Sequence, residues 1–111
     1  MQPWHELADA LLELECELRA LGLWSAEAPS AAALSSQQPF CVDTLDFDAW
    51  LQWIFIPRMA QLIENSGPMP GGCNILPMGE EAFAPLGRRR HQLLAALGRI
   101  DRLAVALAAQ G

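Results

Sequence analysis

Between Gln38 and Glu64 the chain reads QPFCVDTLDFDAWLQWIFIPRMAQLIE, and no other stretch constrains the fold as much. It carries two of the four tryptophans and three of the four phenylalanines. Asp43 or Thr44 can open a helix here, because either side chain accepts a hydrogen bond from a free first-turn amide. Asp46 and Asp48 follow and suit the positive end of the helix dipole. From Leu45 to Ile63 apolar side chains fall on nearly every side of that helix. Such a helix is central in a bundle, or it shows one face to another molecule. Asp48 and Gln52, one turn apart, mark the expected solvent edge. Pro57 lies inside the helix and removes one backbone hydrogen bond, so a kink is predicted between Trp53 and Pro57.

The flanking segments supply partners for it. Trp4, Leu7, Leu11, Leu14, Leu18 and Leu21 recur at spacings of three and four, which is one stripe of a helix. Pro3 suits its first turn and Gly22 its end. Glu15 and Arg19 form an i,i+4 pair in the favourable orientation. Trp24 follows the stop, where an aromatic ring can fold back on the helix end. Ser30 opens a short helical piece. Residues 65–77, NSGPMPGGCNILP, read as a loop. A short helix follows over Met78 to Phe83. Leu86, Leu93, Leu97, Ile100, Ala104 and Leu107 give a last stripe.

The predicted fold is all-α: one domain over 1–111, a compact bundle of about four helices. Long helices are expected near 3–21, 44–64 (kinked at Pro57) and 88–109, with short ones near 30–35 and 78–84.

Composition narrows the function classes. Apolar residues make up 52% and charged residues 18%, so either the core is large or apolar surface is left for a partner. The net charge is −6 and every one of the seven basic residues is arginine. An acidic domain is repelled by phosphate backbones, which argues against direct nucleic-acid binding. Arg88-Arg89-Arg90 reads as a solvated helix start. No apolar run is long enough to span a bilayer, and no basic-then-apolar leader opens the sequence. A cytoplasmic location is expected, with Cys16, Cys41 and Cys73 as free thiols.

Catalysis needs convergent titratable groups. His5 and His91 lie apart near helix starts, and the acidic pairs Asp46/Asp48 and Glu80/Glu81 diverge on their helices. No catalytic set, metal-ligand spacing or cofactor motif is found. Arg58 stands out. At 100° per residue it falls on the line of Phe47, Leu51, Ile54 and Leu62, in the middle of an apolar face. There it would tie to Glu15, Glu80 or Glu81, or hold an anionic small molecule over Trp50 and Trp53. Trp50, Trp53 and Phe55 project to different faces and so cannot all enter one core seam, with Trp53 the outer one. Core and interface are both open to the tryptophans. The candidate interaction or ligand patch is Trp24, Phe40, Asp43, Trp50, Trp53 and Arg58.

Several motifs together carry a resemblance. They are L-x-x-L-E-x-E-L-R at Leu11 to Arg19, Leu23-Trp24, and P-S-x-x-A-L-x-S at Pro29 to Ser36. QPFCxDTL at Gln38 to Leu45, WLQWIFIPRM at Trp50 to Met59 and I-x-P-M-x-E-E at Ile75 to Glu81 follow in order. The chain resembles the YqcC family, small bacterial proteins of unknown function. The resemblance covers residues 5 to 85 and implies an all-α bundle without an assigned activity. It also implies a protein partner, a tRNA pseudouridine synthase, since members tend to be encoded beside one. Pairing with a second copy is a further way to cover apolar surface.

Overall fold

A leucine stripe at three–four spacing buries one side of a helix, and the computed structural model shows two such stripes packed together. It describes residues 3–37, 45–65 and 74–110. The elements are α1 (Pro3–Ala20), α2 (Ala31–Leu34), α3 (Phe47–Trp50), a π turn (Leu51–Phe55) and α4 (Ile56–Asn65). α5 (Leu76–Ala82), a 3₁₀ segment (Ala84–Arg90) and α6 (His91–Gln110) complete the all-α bundle.

α1 lies along α6, and this pair is the main seam of the core. Leu7, Leu14 and Leu18 meet it from one side, Leu93, Leu97 and Ile100 from the other, all fully buried. At roughly 1.5–3 kcal/mol per buried aliphatic side chain, this seam dominates the stability. Gly22 ends α1 with φ 74°. Leu23 N–H reaches Leu18 C=O at 2.8 Å, and Gly22 N–H reaches Arg19 C=O at 3.1 Å. That paired closure needs a left-handed residue, which glycine supplies at no steric cost. Past the connector Ser30 caps α2, its Oγ accepting from Ala33 N–H at 3.1 Å.

α5 is held to α6 by one carboxylate. Ile75 N–H donates to Asp101 Oδ1 and Leu76 N–H to Oδ2, both at 2.9 Å. These amides lie at the start of α5, where no carbonyl of the helix can reach them. Asp101→Ala strands both. We expect a loss of about 2 kcal/mol, with Asp101→Asn losing less because one acceptor survives. Urea unfolding midpoints at unchanged slope check this.

Two boundaries are corrected. The central helix opens at Phe47 with Asp46 in the cap position, not at Asp43 or Thr44, which lie outside the described residues. α6 begins at His91 rather than Arg88, because the chain kinks at Gly87 (φ 60°) and Arg88 to Arg90 form a 3₁₀ turn before it. Arg88 and Arg89 are exposed, and Arg90 Nη1 donates to Glu80 C=O at 3.2 Å.

Candidate interaction surface

The centre of the molecule is a helix that changes pitch. Pro57 has no N–H to offer the carbonyl one α-turn back, and its ring crowds that turn. The helix answers by widening: Ile56 N–H bonds to Leu51 C=O, five residues back instead of four. One extra residue enters the turn, and everything beyond it is displaced by one position around the axis. The buried residues show the shift, running Phe47, Leu51, Phe55, Met59. A straight α-helix had projected Phe47, Leu51, Ile54, Arg58 onto that line. Met59 thus occupies the core position, and Arg58 is exposed. The expectation of a buried Arg58, tied to a glutamate or facing a closed pocket, is overturned by this turn. The kink predicted at Pro57 takes the form of the π turn just before it.

A turn of this width also aligns residues five apart. Trp50 and Phe55 therefore share the core, with ring centroids 5.3 Å apart. Their projection onto different faces is corrected for the same reason. Trp50 stacks on Phe47 at 5.6 Å, and Phe47 meets Phe83 of the next segment at 5.8 Å. Trp50 is 8% exposed and belongs to the core. Trp53 is half-buried, and its Nε1 is enclosed with no hydrogen-bond partner among the described residues. Trp24 is half-buried against the end of α1, with the Arg19 guanidinium 4.7 Å above its ring. Arg19 also bonds Glu15 at 3.0 Å. Phe40 and Asp43 lie outside the described residues. Of the candidate patch, Trp50 is in the core, Trp24 and Trp53 are half-buried, and Arg58 is exposed.

Gln52, expected on the solvent edge, is instead buried. It is 6% exposed. Its Oε1 accepts from Ser25 N–H at 2.8 Å, and its Nε2 donates to Ser25 C=O at 2.7 Å. The amide acts as a peptide group, fastening the connector after α1 to the π turn.

Asp48 is the other half of that supposed edge. It is half-buried beside a recess of about 350 Å³ that Leu23, Asp46, Phe47, Phe83 and Leu86 also line. Burial pushes its carboxyl above the ordinary 3.8, and Asp46 adds to this against the pull of backbone amides. A carboxyl whose pKa is raised by folding holds its proton more tightly when folded. Its contribution to stability therefore falls as pH rises from about 3.8 through the folded pKa. Asp48→Asn is expected to melt higher than the parent at pH 7, with the gain vanishing near pH 3, where both states of the parent are protonated.

An open apolar groove was not anticipated. It runs between α1 and α4 with a volume of about 370 Å³. Ala8, Leu11, Leu12, Ile56, Ala60 and Ile63 line it, with Glu15 on one wall. Leu12 is 62% exposed. The available signal was that Leu12 lies off the stripe of Leu7, Leu11 and Leu14. Ile56 and Ile63 face α1 only because the π turn has rotated them there. Among the described residues no group of His, Cys, Asp or Glu side chains could hold a metal ion. None of their helices is long and apolar enough to cross a membrane.

Comparison with known proteins follows the same lines. Residues 6–103 match the family model DUF446, described as tRNA pseudouridine synthase C. An uncharacterised protein of Haemophilus influenzae is 38% identical over 93 residues, covering 84% of this chain and 87% of that protein. The uncharacterised protein YqcC of Escherichia coli is 39% identical over 93 residues, 84% of this chain and 85% of that one. A tRNA pseudouridine synthase C of Pectobacterium carotovorum subsp. carotovorum is 33% identical over 66 residues, 60% of this chain but 18% of that protein. The solution NMR structure of E. coli YqcC superposes with a TM-score of 0.84 at 35% identity, covering 97% of this chain and 92% of that one. The matched motifs, the helical architecture and these relatives agree: the chain belongs to the YqcC-like family, DUF446.

Proposed function

We propose that the protein is an interaction module that acts by binding a tRNA pseudouridine synthase. The observation that carries this reading is the unequal coverage of its relatives. The related segment makes up most of the Haemophilus protein but a minor share of the Pectobacterium protein named as the synthase. A segment that is most of one protein and is built into a longer enzyme in another gains high effective concentration from the linkage. That gain is useful when the two parts work in contact. The acidic charge of −6 supports contact through protein rather than through tRNA. Of the candidate patch, Trp24, Trp53 and Arg58 reach the surface at least in part and stand as contact candidates.

The test is calorimetric titration of the purified protein with the tRNA pseudouridine synthase C of the same organism. Saturable binding is expected in the absence of tRNA, and retention of catalysis by the synthase alone would be compatible with it. No heat at micromolar concentrations of both, with no co-elution in gel filtration, would sink the reading.

A further inference from the structure

We propose that the α1–α4 groove receives an amphipathic helix whose apolar stripe is flanked by basic residues. This rests on the interaction-module reading and specifies the surface and the partner's chemistry. The groove is an apolar floor between two helices, with no basic residue lining it. Ala8 to Glu15 and Ile56 to Ile63 each cover two helical turns, about 10 Å of wall. That length accepts three anchors of a docked helix, at i, i+3 or i+4, and i+7. Leu12 at 62% exposed is the ridge such anchors would straddle, and removing it from water contributes most.

Charge selects the occupant. Glu15 is the one charged residue of the lining. Among the described residues its Oε2 is engaged by Arg19, an arginine itself 56% exposed, and its Oε1 by none. Glu64 stands one turn beyond Ala60 on α4, and Asp9 lies between Ala8 and Leu11 on α1, both exposed. Carboxylates therefore stand on both helices that form the groove. A second copy of this chain would bring these carboxylates, and −6 on each molecule, face to face. Like-charge juxtaposition opposes that pairing, whereas a basic flank is drawn to it.

The experiment compares variants for binding to the synthase. Leu12→Glu/Ala60→Glu changes two exposed positions, so the fold should hold, and circular dichroism confirms it. The pair is expected to weaken binding at least tenfold. Glu15→Arg/Glu64→Arg is expected to weaken it several-fold and to flatten its dependence on salt. Val105→Glu, at a second large exposed apolar side chain, on α6, is expected to bind like the parent. Unchanged affinity in the groove pair, while the parent binds, overturns the groove assignment and leaves the module reading standing. Loss of parent binding itself would overturn the module reading instead. A dimer of the isolated protein that Leu12→Glu/Ala60→Glu dissolves would assign the groove to a second copy and overturn the basic-helix proposal.

Discussion

Leu97→Ala is expected to lower the unfolding free energy by about 3–5 kcal/mol, as for fully buried leucines whose surroundings cannot collapse. Leu97 is 0% exposed and lies at the middle of the α1–α6 seam. Since a domain of this size is stable by about 5–15 kcal/mol, about a fifth of the total or more is at stake. Gly79 of α5 makes the argument sharper. A Cβ built there collides with Leu97 Cδ1 and stands 3.3 Å from Leu94 Cδ2. Gly79→Ala alone should therefore destabilise by about 1–3 kcal/mol, despite the better helix propensity of alanine. Combined with Leu97→Ala, the new methyl enters the vacated space. The double variant should recover at least about 1 kcal/mol relative to the sum of the single losses. Strict additivity in denaturant unfolding would show that α5 does not press on α6 at this point.

Gln52→Leu is expected to cost about 3 kcal/mol, although it exchanges a polar for an apolar side chain at a buried site. The reason is Ser25, whose N–H and C=O both lose their partner, and each unmet backbone group costs about 1–3 kcal/mol. Gln52→Glu separates this account from packing. A protonated glutamic acid can both donate and accept, so the variant should approach the parent at low pH. An ionised one confronts Ser25 C=O without a donor. Burial raises such a carboxyl's pKa, so stability should fall as pH rises through it. A Gln52→Glu loss that stays constant across pH would falsify the hydrogen-bond account.

The leucine stripes of α1 and α6 were legible because their geometry is uniform. Every residue advances by the same angle, and Leu7 to Leu18 and Leu93 to Leu107 obey it. The central helix broke that assumption in one turn. Pro57 signalled a disturbance, but a kink and a π turn remove the same hydrogen bond, and only the π turn adds a residue. That difference separates a buried Arg58 from a buried Met59. Gln52 was misplaced for another reason. Polarity suggested water, while its amide partner is a peptide group distant in sequence. The same distance hid Asp101, whose two acceptors meet amides 26 and 25 residues earlier. Of the candidate residues, Trp24 at the end of α1 was the one whose surroundings local order could foretell. The groove needed the tertiary placement of two helices and was foreshadowed only by an off-stripe leucine.

The π turn also bears on how such a chain can change length. It holds one surplus residue between Leu51 and Phe55. Deleting one residue there would remove the surplus and restore α pitch while Met59, Ala60 and Ile63 keep their places around the axis. Straightening the turn at full length would instead rotate all that follows by about 100°. Met59 would then leave the core, Arg58 would swing toward it, and Ile56, Ala60 and Ile63 would no longer line the groove against α1. The surface thus depends on the count of residues matching the pitch of this one turn: shortening both together preserves it, and changing the pitch alone dismantles it.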